Sequence, residues 1–235
     1  MATRTDRIAA ATVHAVFGTE NTENTENTAS DPAGTRLLRT ALRLLAHGEP
    51  ISVTELAAAA GVPDPDLTNA PAGRDIEYDQ HGRIVGWGLT LNPTPHRFTI
   101  GGRRLYTYCA PDTLIFPVVI GEVAHIESDC PNTGTTIRLT LDPTEGVTGL
   151  DPAGAVVTIV DPTHIDRQRV RATLCDPQRF FATGRDAHDW QAHNPGMTVL
   201  PVADAYTQIA LPIAWATLGH PSSTRPCSPH SITPG

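Results

Sequence analysis

The chain has 235 residues and a formal net charge of −8, long enough for one sizeable hydrophobic core or two small ones. No apolar run approaches the roughly 20 residues that a membrane-spanning helix needs, and the net acidity argues against nucleic-acid binding through phosphate neutralisation. The four cysteines, Cys109, Cys130, Cys175 and Cys227, form no C-x-x-C pair, which removes a zinc ribbon and, without an export signal, makes a disulfide framework unexpected.

The N-terminal stretch MATRTDRIAAATVHAVFGTE is too weakly apolar for a secretory signal, so a cytoplasmic protein is expected. It is compatible with an amphipathic helix. The polar repeat TENTENTENT at 19–28 cannot bury apolar area, and residues 1–35 are expected to form a disordered extension. From residue 36, Leu37, Leu38, Ala41, Leu42 and Leu45 recur at helical spacing, and Gly48 is a stop signal. Ser52 and Glu55 form an S-x-x-E capping box for a second helix that ends at Gly61. IEYDQHGRIVGWGLTL then reads as strand, turn, strand. Helix, helix and hairpin in this order predict a winged-helix-like module over 36–95. Where a recognition helix belongs, DPDLTNAPAGRD carries three prolines or glycines and one arginine, which favours packing over DNA reading.

A catalytic α+β domain is expected over 96–219. HRFTIGGRRLYTY predicts a hairpin with a Gly-Gly turn. EVAHIESDC, TTIRLTLD and AVVTIVD predict strands, while DAHDWQAH and VADAYTQIALPIAWATLG predict helices. The fold class is therefore α+β, with the N-terminal helical module packed on a mixed or antiparallel sheet domain with helices. A flexible proline- and serine-rich tail, holding Cys227, is expected over 220–235.

The densest stretch is LYTYCAPDTLIFPVVIG at 105–121. Proline favours the first helical position and an acid suits the first turn, so Pro111 and Asp112 are predicted to start a helix with Cys109 just outside it. Free backbone N–H groups there lower a thiol's pKa, whereas Asp112 opposes them and its own pKa should rise. The apolar run should bury the helix, and Pro117 should kink or end it. The plainer alternative makes Asp112 a first-turn acid and Cys109 a small core residue.

These residues carry a family resemblance. EYDQHGRIVGWGLTL, RRLYTYCAPDTLIFPVVIG, DCPNTG and CDPQRFFA, spread over roughly residues 36–218, resemble the organomercurial (alkylmercury) lyases. The resemblance implies cleavage of a carbon–mercury bond by two cysteines and an aspartate. These would be Cys109, Cys175 and Asp112, with the same three holding mercury and with Cys130 structural. Some better-known members carry a further cysteine where this chain has Asp176. Mercury(II) is soft and prefers thiolates. Two thiolates would weaken its bond to carbon, and Asp112 would first accept a cysteine proton and later protonate the carbon. Mercury would arrive with the substrate, so no cofactor is implied. Release would need low-molecular-weight thiols or a partner such as mercuric reductase.

Tyr106, Tyr108, Phe116 and Phe180 are candidate pocket walls or plain core. His125 and His164 are read as surface or packing histidines. A diverged soft-metal-binding or thiol-based sensor protein, or lyase chemistry on another substrate, are the competing readings. A proton donor at Asp112 speaks against a pure binder.

Overall fold

The computed structural model describes residues 3–17 and 33–219. The repeat at 19–28, the tail at 220–235 and Cys227 therefore lie outside the described residues. Its organising element is a helix with no polar face. α1 (Arg4–Phe17), α2 (Ala33–Leu45) and α3 (Val53–Ala60) precede the strands β1 (Glu77–Tyr78), β2 (Ile84–Trp87), β3 (Leu89–Thr90), β4 (His96–Ile100) and β5 (Arg103–Thr107). Next comes α4 (Ala110–Ile120), in which Ala110, Pro111, Thr113, Leu114, Ile115, Phe116, Pro117 and Val119 are all buried. A helix that is apolar all round has no stable place at the surface. α4 accordingly lies between the sheet on one side and α2 and the C-terminal helix on the other.

The strands β6 (Ala124–Asp129), β7 (Thr136–Asp142) and β8 (Gly146–Asp151) complete an antiparallel eight-stranded sheet in the order β1-β2-β3-β5-β4-β6-β7-β8. Along β4 and β6 buried residues alternate with more open ones, as expected when one face packs on the core and the other meets water. The predicted hairpin joins β4 and β5 through Gly101 and Gly102, at φ 54° and 76°. These are the positive values that this tight two-residue turn demands. A second antiparallel sheet has β9 (Val156–Val160) between β10 (Phe180–Phe181) and β11 (Met197–Pro201). α5 (Gly184–His193) separates β10 from β11. α6 (Val202–Ala205), a π-helical turn at Tyr206–Ala210 and α7 (Leu211–Leu218) are the last elements of the described residues.

The helical module forms as its sequence predicts. Leu37, Leu38, Ala41, Leu42 and Leu45 are buried along α2. Ser52 Oγ accepts the Glu55 N–H, Glu55 returns its carboxylate to the Ser52 N–H, and Gly61 caps α3 in the left-handed region. The segment where a recognition helix would lie is a run of turns with one 3₁₀ turn at Gly73–Asp75. Ile51 and Ile84 exchange both backbone hydrogen bonds, and β3 pairs with β5. The hairpin of the module is thus continuous with the large sheet across residue 95.

Three expectations need correction, and two strands go beyond those expected. Residues 4–17, within the extension 1–35 expected to be disordered, form α1, as the amphipathic-helix reading of that stretch allowed, and α2 begins inside the same extension at Ala33. Ile8, Ala9 and Thr12 of α1 pack inward, and Thr5 Oγ1 donates to Gln208 Oε1 at 2.7 Å. This inward stripe is short, so the helical signal is modest in the sequence. α4 begins at Ala110, which puts Pro111 and Asp112 one position further into the first turn than expected. That turn has no intrahelical use for its N–H groups, so Pro111 is still accommodated. Of the two outcomes expected at Pro117, a kink or an end, the end is excluded, because helical structure runs on through it to Ile120. Finally, β8 and β11 were not anticipated. β8 is mostly open to solvent and holds Gly146 and Gly149, and β11 ends in Pro201. Both are edge strands, where such residues are tolerated.

Leu45 is fully buried, while Val123 is 41% exposed. Leu45→Ala should lower unfolding free energy by about 2–5 kcal/mol. Val123→Ala should stay within about 0.5 kcal/mol of the parent. Denaturant titration of the two variants checks this placement of the core.

Candidate active site

The first turn of α4 opens into the interior. Cys109 is its N-cap residue in extended conformation, φ −140° and ψ 168°. It is 2% exposed, and its carbonyl accepts the Thr107 hydroxyl at 2.8 Å. Asp112 follows in the first turn, half-buried. Cys175 arrives from a distant part of the chain as the last residue of a π-helical turn, Arg171–Cys175, and is also buried. The two sulfurs and an Asp112 carboxylate oxygen all lie within 4.8 Å of one another.

The Cys175 turn is fastened on two sides. On one, the Arg171 N–H donates to Asp75 Oδ2 at 3.0 Å, and its guanidinium pairs with Glu77 and stacks 4.1 Å from the centre of the Tyr108 ring. The Tyr108 hydroxyl donates to the Asp75 carbonyl at 3.0 Å. On the other, the Gln178 N–H donates to the Cys175 carbonyl at 3.0 Å, and the Gln178 carbonyl accepts the Ala110 N–H at 3.4 Å. Asp176, after Cys175, has its carboxylate 3.9 Å from the Arg171 guanidinium.

These groups border a cavity of about 100 Å³. Its walls include Leu38 and Leu42 of α2, Trp87 and Gly88, Ile115 and Phe116 of α4, and Ile209 and Ile213 near the C-terminus. α1 contributes Thr12 and Val16. Gly88 sits at φ 77°, and a Cβ there would come within 2.7 Å of the Phe116 ring, so only glycine fits against that wall.

The apolar setting sets the protonation states. Burial pushes the Asp112 carboxyl up to about 7, with hydrogen bonding from Cys109 pulling the other way. Burial, followed by the Cys175 contact and the Asp112 charge, holds the Cys109 thiol well above its ordinary value. The Asp112 backbone N–H works in the opposite direction and loses. The expected lowering of Cys109 by the helix N-terminus is therefore outweighed by desolvation. Hydrogen bonding from Cys109 lowers the Cys175 thiol, but burial and the charges of Asp112, Asp176 and Asp75 together leave it raised. The resting trio thus has two protonated thiols beside a carboxyl that titrates near neutrality.

Of the other sequence candidates, Tyr108 and Phe116 line the cavity and Tyr106 and Phe180 do not. Phe180 is fully buried against His96. Cys130 is buried outside the trio, with its N–H donated to the Thr135 carbonyl at 2.8 Å. His125 is an exposed strand residue beside Thr140, and His164 is exposed in a 3₁₀ turn. Gln178, the Arg171–Glu77 pair and the α1 wall were not anticipated. Their partners are remote in sequence, and no local spacing points to them.

The family described as alkylmercury lyase matches residues 89–214, and the helix-turn-helix domain of alkylmercury lyase matches residues 19–88. The chain belongs to the alkylmercury lyase family. Relatives named alkylmercury lyase come from Streptomyces lividans, 47% identical over 77% of this chain and 83% of the relative, and Staphylococcus epidermidis, 43% identical over 72% and 78%. A third, from Pseudomonas putida, is 40% identical over 72% and 79%. A crystal structure titled as the mercury-bound form of MerB2 superposes with a TM-score of 0.67 at 18% identity, covering 92% of this chain and 100% of that one. This likeness concerns the fold. In this member of the alkylmercury lyase family, the trio stands where the helical module and the sheet domain meet.

The Asp112 carboxyl yields a direct check. Infrared titration should show a carboxylic acid that ionises with a midpoint of about pH 7 and is missing from Asp112→Asn. A midpoint in the ordinary carboxylate range would contradict the desolvated site.

Proposed function

We propose that the protein cleaves the carbon–mercury bond of organomercurials by protonolysis, releasing a hydrocarbon and Hg(II). The observation that carries this reading is the convergence of two thiols and one carboxyl within 4.8 Å of one another, at an apolar cavity. Two sulfurs at this separation suit a large soft cation. A carboxyl poised near neutrality can both accept and return a proton.

In the proposed sequence the substrate is R–Hg–X, where X is a displaceable thiolate or halide. Ionised Asp112 takes the Cys109 proton as the Cys109 sulfur bonds to mercury and X leaves with its electron pair. Cys175 then adds to mercury, and Asp112 relays a proton to the carbon. The carbon–mercury electron pair goes to the new C–H bond and R–H departs. Mercury stays as Hg(II) on two thiolates; the Cys109 proton ends in R–H, and the Cys175 proton passes to the Asp112 carboxylate left behind and then to solvent, balancing the charge that X carries off. The apolar walls suit a methyl or phenyl substituent and keep competing water away. We propose that no resident cofactor takes part, since mercury enters with the substrate. Low-molecular-weight thiols, or a partner such as mercuric reductase, would remove the Hg(II), and the proposed setting is the cytoplasm. No helix among the described residues is long and apolar enough to cross a membrane.

Incubation with phenylmercury and excess small thiol should yield benzene. Cys109→Ser, Cys175→Ser and Asp112→Asn should each lower the rate by about 100-fold or more, and Cys227→Ser should not. Mercury held at two cysteines without benzene would overturn the lyase reading in favour of a soft-metal binder. Full activity in Cys175→Ser would overturn the two-thiolate step.

A further inference from the structure

Gln178 is 3% exposed and lines the same cavity as the trio, yet the reaction as written leaves it without a task. A buried carboxamide has four hydrogen-bonding positions, and which end faces which neighbour is set by its partners. Here the orientation is determined. The Val160 backbone N–H donates to Gln178 Oε1 at 3.1 Å, so the amide nitrogen must face the other way. There Nε2 donates to Cys109 Sγ at 3.8 Å.

The loop holding Gln178 is itself anchored. The Gln178 main chain links the Cys175 carbonyl to the Ala110 N–H. The Arg179 N–H donates to Thr158 Oγ1 at 2.9 Å, and its guanidinium reaches His96 Nε2 at 3.3 Å. Burial, with the Arg179 charge second, keeps His96 neutral by holding its pKa down at about 3, so that nitrogen accepts. One residue thus spans both thiol segments through its backbone and aims a fixed N–H dipole at one sulfur alone.

We infer that Gln178 is a positioning residue for Cys109, holding its sulfur toward the incoming mercury and stabilising the negative charge that gathers there as the sulfur–mercury bond forms. This rests on the lyase reading for its substrate, but it concerns only the capture step. In that step the Cys109 proton passes to Asp112, sulfur bonds to mercury and X leaves. A preorganised donor aimed at developing charge costs no reorganisation when the charge appears. The asymmetry distinguishes the cysteines: the Gln178 amide donates to the Cys109 sulfur, whereas toward Cys175 Gln178 offers only its main-chain N–H, at the carbonyl.

The test is a thiol-by-thiol cycle, reading stopped-flow capture of phenylmercury without waiting for benzene. In a Cys175→Ser background, Gln178→Met and Gln178→Glu should each slow capture by Cys109 about tenfold, the size of one hydrogen bond to a charged group. In a Cys109→Ser background the same changes should leave capture by Cys175 unaltered. Glu retains the shape and an acceptor for Val160 but replaces the N–H toward sulfur with a carboxyl oxygen, so it reads the reversed dipole, while Met removes the donor without adding charge. Met supplies an uncharged second test if the Glu protein folds poorly. Equal slowing in both backgrounds, or parental capture by Cys109 in the Gln178 variants, would overturn the inference. Failure of the parent to release benzene would sink the lyase reading and leave the capture result standing.

Discussion

Everything at this site follows from the burial of α4. Its residues are apolar on every side, so it packs between sheet and helices with no face left for water. A surface helix can start in solvent, where water satisfies its first N–H groups. α4 starts inside, so the first amides at its mouth need protein partners in a dry space: the Gln178 carbonyl takes the Ala110 N–H, and the Cys109 side chain takes the Asp112 N–H. Cys109 and Asp112 sit at that mouth. The same burial that disfavours ionisation of the thiols lifts Asp112 into the range where a carboxyl can hold or release a proton near neutrality. Desolvation thus prevails over the helix dipole here, and it equips the site for proton transfer.

The second thiol has to be delivered to that mouth from elsewhere, and the fold uses two fasteners. The Arg171–Glu77 pair, with the guanidinium on the Tyr108 ring, ties the Cys175 turn to β1 and to the residue before Cys109. The Gln178 main chain ties the same turn to the start of α4. Glu77 also accepts from Thr90 and Asn92, so this fastener reaches into the helical module's hairpin. The continuous sheet across residue 95 therefore has a functional consequence: the module helps to hold Cys175 as well as wall the cavity through α2.

Much of this was legible because it is local. The capping box at Ser52, the Gly-Gly hairpin, the stripe along α2 and the cysteine before Pro111 each declare themselves within a few residues. The pairing of Cys109 with Cys175 did not come from spacing. It came from family resemblance, and the structure supplies its physical form in the π-helical turn and the Gln178 bridge. α1 was only partly legible, because its inward stripe of Ile8, Ala9 and Thr12 is a weak signal beside the polar repeat that follows. β8 and β11 were obscured because edge strands tolerate glycine, proline and exposed polar residues. Gln178 was unreadable for another reason: a lone glutamine acquires meaning only when Val160 fixes which way its amide points.

The proposed cleavage requires the two sulfurs to meet on one metal. X-ray absorption on mercury retained after a single turnover, with no added thiol, tests this most directly. Two sulfur neighbours in the parent protein, one in Cys175→Ser and two in Cys130→Ser are the predicted results. Mercury with a single sulfur neighbour in the parent, or two sulfurs persisting in Cys175→Ser, would contradict it.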